Sequence, residues 1–115
     1  MSSADEKTPR PGRAVRGSRT GRPIMALLDL LGRRWALRVL WELRAEPATF
    51  RDLRDRCGGL SPTVLNARLH ELRGAGVIEL SDEVGYKTTD AGADLLEALA
   101  PLDRWAKAWA RRTKD

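Results

Sequence analysis

Cysteine and histidine are nearly missing from this sequence: its 115 residues include one of each, Cys57 and His70. A lone cysteine excludes an internal disulfide and any multi-cysteine metal site, and a lone histidine leaves no cluster to hold zinc. No apolar run approaches the roughly 18 to 20 residues that cross a bilayer, and the first residues lack the apolar core of a signal peptide. A cytoplasmic protein with no membrane partner is therefore expected. Also missing are a glycine loop shaped to cradle phosphates and a paired acid and base beside an activated nucleophile, so neither enzymatic activity nor a cofactor is expected. What remains is enough for one modest domain, with 42% hydrophobic residues to build its core.

The net charge of +5 is unevenly spread. Residues 1–23 carry six basic residues against Asp5 and Glu6, whereas the rest of the chain has fifteen basic and fourteen acidic residues. The basic excess belongs mostly to a terminal arm, so it says little about whether the folded body binds polyanions. Rich in Pro, Gly, Ser, Thr and Arg and without apolar periodicity, residues 1–23 are expected to be disordered in isolation. Arg10, Arg13, Arg16, Arg19 and Arg22 recur every third residue. That spacing suits a flexible arm following a phosphate backbone, and equally a solubilising terminus.

The body, about residues 24–112, reads as mainly helical. From Ile24 to Arg44, Leu27, Leu28, Leu31, Trp35, Val39, Leu40 and Leu43 recur at helical steps, with Gly32-Arg33-Arg34 expected to break the run in two. Glu46 to Thr49 reads as a turn, and Phe50 to about Cys57 as a short helix pointing Phe50, Leu53 and Cys57 inward. Cys57 thereby reads as a small buried hydrophobe. After Gly58-Gly59, Ser61 and Pro62 form a strong helix start, a hydroxyl cap followed by a residue whose missing N–H costs nothing there. Leu65, Leu69 and Leu72 then fall on one side of this helix, and Thr63, Asn66, Ala67 and His70 on the other. Val77 to Leu80 and Tyr86 to Thr88 read as a hairpin that must pack on the helices through Val77, Ile78 and Leu80, because an isolated hairpin is marginal in water. Thr88 or Thr89 caps a last helix whose apolar stripe through Leu95, Leu99, Leu102, Ala106 and Trp109 is wider than a small body needs. Pro101 is expected to kink it, and residues 113–115 form a tail.

Helix, helix-turn-helix, hairpin and long final helix make a winged helix-turn-helix, mainly α with a small two- or three-stranded β wing. Several stretches go further and resemble the HxlR family, relatives of the MarR regulators. They are Leu28-Asp29-Leu30-Leu31-Gly32-Arg33-Arg34-Trp35, Phe50-Arg51-Asp52-Leu53-Arg54, Leu60-Ser61-Pro62-Thr63-Val64-Leu65-Asn66-Ala67-Arg68-Leu69 with Glu71-Leu72 and Gly76-Val77-Ile78, and Tyr86-Lys87-Thr88-Thr89-Asp90-Ala91-Gly92. The resemblance implies a homodimeric transcriptional regulator joined through its first and last helices, with Leu27, Leu28, Leu99, Leu102, Trp105 and Trp109 as interface candidates. Many members sense electrophiles or oxidants with a cysteine just before the first helix. Here Thr20-Gly21-Arg22-Pro23-Ile24-Met25 holds none. The wing is short and bears Asp82 and Glu83 at its tip, where like charge disfavours phosphate approach.

On this reading the helix over about residues 61–73 enters the major groove of double-stranded DNA, with Thr63, Asn66 and His70 near base edges; the Asn66 amide can pair bidentately with adenine. Ser61, Arg51, Arg54, Arg68 and Lys87 are candidates for phosphate contacts. Arg68 is equally suited to tie the helix to the wing or to an acidic neighbour. A two-fold axis implies a roughly palindromic operator. The alternative is a winged-helix module that joins proteins without reading DNA. A small apolar effector between the dimer helix and the DNA-binding lobe, near Trp35, Trp41 and Trp105, competes with core packing as an account of those tryptophans.

Overall fold

The computed structural model describes residues 22–113. The arm arginines Arg10, Arg13, Arg16 and Arg19, and residues 114–115 of the tail, lie outside the described residues. The elements run α1 (Pro23–Leu31), α2 (Ala36–Glu42), α3 (Phe50–Arg56), α4 (Pro62–Gly74), β1 (Ile78–Ser81), β2 (Gly85–Thr88) and α5 (Asp90–Arg112). One core joins them: Leu30 of α1, Val39 and Leu40 of α2, Leu53 of α3, Leu65, Leu69 and Leu72 of α4, Ile78 of β1 and Leu96 of α5 are all buried. α4 lies at the centre, with Leu65 and Leu72 wholly inaccessible.

The first two helices part at Gly32, as the sequence suggests, but Trp35 is not part of a continuous helical stripe. It precedes α2 with φ of 76°, in the left-handed region. For a bulky residue that conformation is strained, and the partly buried indole, packed against the core, offsets the cost. Thr49 caps α3 through a reciprocal pair: its hydroxyl accepts from the Asp52 amide at 3.1 Å while the Asp52 carboxylate accepts from the Thr49 amide at 3.3 Å. Leu53 and Cys57 are buried as expected, whereas Phe50 is only half-buried at the edge of the core.

β1 and β2 pair antiparallel in the register Ile78↔Thr88, Glu79↔Lys87, Leu80↔Tyr86, Ser81↔Gly85. The strands thus extend one residue further toward the tip than the sequence suggests, leaving Asp82, Glu83 and Val84 as the turn. Ala48, read as part of a turn, adds a bridge to Tyr86 through bonds of 2.9 and 2.8 Å. This draws the α2–α3 segment onto the wing, and only glycine allows it at position 85: φ is 90°, and a Cβ there would lie 2.6 Å from the Ala48 carbonyl oxygen. The wing is anchored through Val77 and Ile78, but not through Leu80, which is 46% exposed. With so short a ribbon, its second half extends beyond the helices that could cover it.

Thr89 caps α5 by accepting from the Gly92 amide at 3.1 Å and donates its own hydroxyl to the Gly76 carbonyl at 2.6 Å. α5 has 23 residues and runs on through Pro101, about 35 Å at 1.5 Å per residue. Leu95 and Leu96 pack on the body. Beyond them the apolar face is bare: Leu102, Trp105 and Trp109 are more than half exposed.

Candidate nucleic-acid interface

α4 presents its outer face beside the wing, whose Tyr86 lines a depression shared with that face. Its start is set by Ser61, whose hydroxyl accepts from the Val64 amide at 3.2 Å, and by Pro62 in the first turn. With Leu65, Leu69 and Leu72 committed to the core, Thr63 and Asn66 stand exposed, and Ala67 and His70 are half-buried on the wing side. A depression of about 500 Å³ runs past Asn66, Ala67, His70 and Arg73, with Arg33 and Tyr86 on its far wall.

Beneath that face lies a feature that helical periodicity did not reveal. Glu71 is buried at 7% exposure, and its carboxylate accepts from two arginines: Arg33 of the α1–α2 turn, and Arg68 one turn earlier on α4 at 2.9 Å. Arg33 also reaches Asp29 of α1 at 3.4 Å, and Arg68 donates to the Arg34 carbonyl at 3.1 Å. This ion-pair knot ties the second half of α4 to the α1–α2 turn, with Arg33 lying 38 residues before Glu71 in the chain. Because both carboxylate oxygens are bridged by guanidinium groups, a negative charge can sit there without facing low dielectric alone.

A model of the HxlR-like helix-turn-helix family matches residues 30–114. The chain belongs to the HxlR family. Among its relatives, the HTH-type transcriptional regulator YvaP of Bacillus subtilis is 30% identical over 88 residues, covering 71% of this chain and 82% of YvaP. The fold is similar to that of quinone-bound YodB from B. subtilis, with a TM-score of 0.67 at 26% identity, covering 74% of this chain and 94% of that one. It is also similar to a possible HxlR family transcriptional factor from Thermoplasma volcanium, with a TM-score of 0.65 at 27% identity, covering 74% and 82%. This HxlR protein is thus a DNA-binding transcriptional regulator of the helix-turn-helix class, with the two-stranded wing seen in the fold. Among its described residues no helix is long and apolar enough to cross a membrane, and no cluster of His, Cys, Asp or Glu could hold a metal ion.

The HxlR fold brings together some of the residues singled out from sequence and separates others. Thr63, Asn66 and His70 share one face of α4. Of the phosphate candidates, Arg51 is exposed in the first turn of α3, and Ser61 uses a lone pair as cap while its O–H can still donate. Arg54 donates through Nε to the Leu60 carbonyl at 3.2 Å, holding the α3–α4 turn. Lys87 faces Glu79 across the wing at 3.4 Å. Arg68 takes the second role the sequence allowed it, that of a tie to an acidic neighbour, and its guanidinium turns inward. Of the interface candidates, Leu28, Leu102, Trp105 and Trp109 are exposed, while Leu27 and Leu99 are half-buried. The Trp105 and Trp109 rings stack with centroids 5.8 Å apart. A crevice of about 400 Å³ between α2 and α5 is lined by Leu37, Arg38, Trp41, Leu99, Leu102 and Asp103, so Trp41 contributes to it but Trp35 and Trp105 do not. Burial raises the Cys57 thiol above its ordinary pKa, with smaller opposing influences from Arg38, which lowers it, and Glu42, which raises it. Sequence reasoning passed over Glu71 and Arg73; the spacing of Arg73 from Asn66, two helical turns, was the available signal for the latter.

Proposed function

We propose that this regulator binds DNA as a homodimer, with α4 of each subunit in successive major grooves of a roughly palindromic operator whose half-site centres lie about 10 base pairs apart, or a multiple of that. The observation that carries the reading is the division of α4 into a wholly buried Leu65–Leu69–Leu72 side and an exposed side bearing Thr63 and Asn66. Such a helix offers hydrogen-bonding groups of modest bulk on a rigid support, which suits base edges in the major groove. Asn66 is the leading base reader, with Thr63 and His70 beside it. Ser61 and Arg51 approach phosphates, flanked by Arg54 and Lys87 as secondary contacts; Arg22 continues the arm of Arg10, Arg13, Arg16 and Arg19 along the backbone. The dimer rests on α1 and α5, because a face with Leu28, Leu102, Trp105 and Trp109 exposed is large for a monomer to leave in water. We place the protein in the cytoplasm, where its DNA is.

The α2–α5 crevice supports a further element, an apolar effector. Its walls are mainly Leu37, Trp41, Leu99 and Leu102, and a similar fold, that of YodB, is known with a quinone bound. Trp41 fluorescence that shows no saturable quenching across a panel of flat apolar compounds would count against it.

Selection of bound fragments from a genomic library, followed by footprinting, tests the whole reading. A single palindromic motif with protected half-sites one or two helical turns apart is expected. Binding that is only nonspecific and steeply salt-dependent would instead favour the protein-joining module.

A further inference from the structure

The cations around α4 are unevenly committed. Arg68 turns inward to Glu71 and the Arg34 carbonyl, Lys87 is paired with Glu79, and the wing tip carries Asp82 and Glu83 in the open. A phosphate approaching from the wing side therefore meets little net positive charge at the tip, where a winged helix would ordinarily reach for it. The charge lies further in. Between the second half of α4 and β1 is a depression of about 460 Å³ walled by His70, Arg73 and Glu79, and it adjoins the larger one beside Asn66, with which it shares His70 and Arg73. Together they form a groove along the wing side of α4.

The Arg73 side chain is exposed on this groove and makes no hydrogen bond or ion pair among the described residues. The acidic groups near it are already engaged: Glu71 by Arg33 and Arg68, Glu79 by Lys87. Seven residues after Asn66, Arg73 projects from nearly the same side of α4 and about 10 Å further along its axis. When the N-terminal half of a recognition helix lies on base edges, its C-terminal half rises toward the groove margin, where a sugar–phosphate strand runs. A guanidinium at that height, with two adjacent donors and with the nearby Glu79 already facing Lys87, matches a phosphate.

We propose that the groove between α4 and the wing seats a DNA phosphate strand and that Arg73 anchors it, leaving the wing tip clear of the duplex. This rests on the DNA-binding reading above. Salt titrations of full-length protein on the selected operator and on random duplex test it. Arg73→Ala, which removes one contact from each subunit of the dimer, is expected to lower the slope of log K against log salt by about 1.8 on both DNAs, so that the affinity lost between 50 and 200 mM salt shrinks roughly 12-fold. Arg73→Lys should restore most of the slope, and the tip variant Asp82→Asn/Glu83→Gln should leave it unchanged. Unchanged circular dichroism and melting of each variant keep folding out of the comparison. An unaltered slope for Arg73→Ala, while wild type binds its operator normally, overturns this inference alone; wild type that binds no DNA overturns the DNA-binding reading and this inference with it.

Discussion

Replacing Glu71 by alanine should damage this protein far more than its place on a solvent-facing stretch of sequence suggests. The side chain retains 9% of its exposure, and its two oxygens hold Arg33 and Arg68, whose side chains are 27% and 20% exposed. Removing the carboxylate takes from two largely desolvated guanidinium groups the anion they share, although Arg33 still reaches Asp29 and Arg68 the Arg34 carbonyl. Breaking a buried ion pair by deleting one member costs about 3–5 kcal/mol, and the arginines' residual exposure places this case near the lower end, about 3 kcal/mol. Alanine is the best helix former, so propensity in α4 does not add to the loss. The comparison is Glu79→Ala, which removes an ion pair whose members are 43% and 52% exposed and should cost under about 1 kcal/mol. Thermal unfolding at equal protomer concentration is the assay, since the melting temperature of the proposed dimer would depend on concentration. At about 4–8 °C per kcal/mol, Glu71→Ala should melt roughly 12–24 °C below wild type. A fall no larger than that of Glu79→Ala would refute the claim that the knot fastens α4 to the α1–α2 turn.

Other perturbations test separate parts of the account. Gly92→Ala would put a Cβ 1.8 Å from the Val77 carbonyl oxygen, so α5 must shift away from the wing, and chemical denaturation should show a loss of about 2–3 kcal/mol. Cys57 should react with a thiol reagent far more slowly in the native protein than after unfolding, because it is buried and its thiol is held protonated. Its raised folded pKa means that the stability it contributes is intact below the unfolded thiol's pKa and is lost as pH rises through the folded value; urea midpoints measured upward from neutral pH should show that direction. Trp105→Glu with Trp109→Glu places two charges on the bare face of α5 and should shift sedimentation from dimer to monomer at micromolar concentration, while circular dichroism stays helical.

The order of elements was legible because its signals are local. Ser61-Pro62 announces α4, the turn ending at Thr49 precedes α3, and Gly32 separates α1 from α2, each through chemistry confined to a few neighbouring residues. The outer face of α4 was legible for the same reason, since Leu65, Leu69 and Leu72 define its opposite. What escaped depends on distant partners. Glu71 lies among polar residues, and its burial follows from an arginine that chain topology, not spacing, brings beside it. Trp35 takes a left-handed conformation that no local rule assigns to tryptophan, because two packed helices fix its ends. Leu80 alternates like a core residue, yet the helices end before they reach it. Arg73 resembles any arginine in a last helical turn until Glu71 and Glu79 are seen to be neutralised by other residues.

The measurement closest to the centre of this account is a binding titration of Asn66→Ala on the selected operator, on operator variants altered one base pair at a time, and on random duplex. Expected is a loss of about 1–3 kcal/mol of discrimination confined to one base step of each half-site, with affinity for random duplex unchanged. Equal losses on operator and random DNA would contradict the claim that the exposed side of α4 reads sequence.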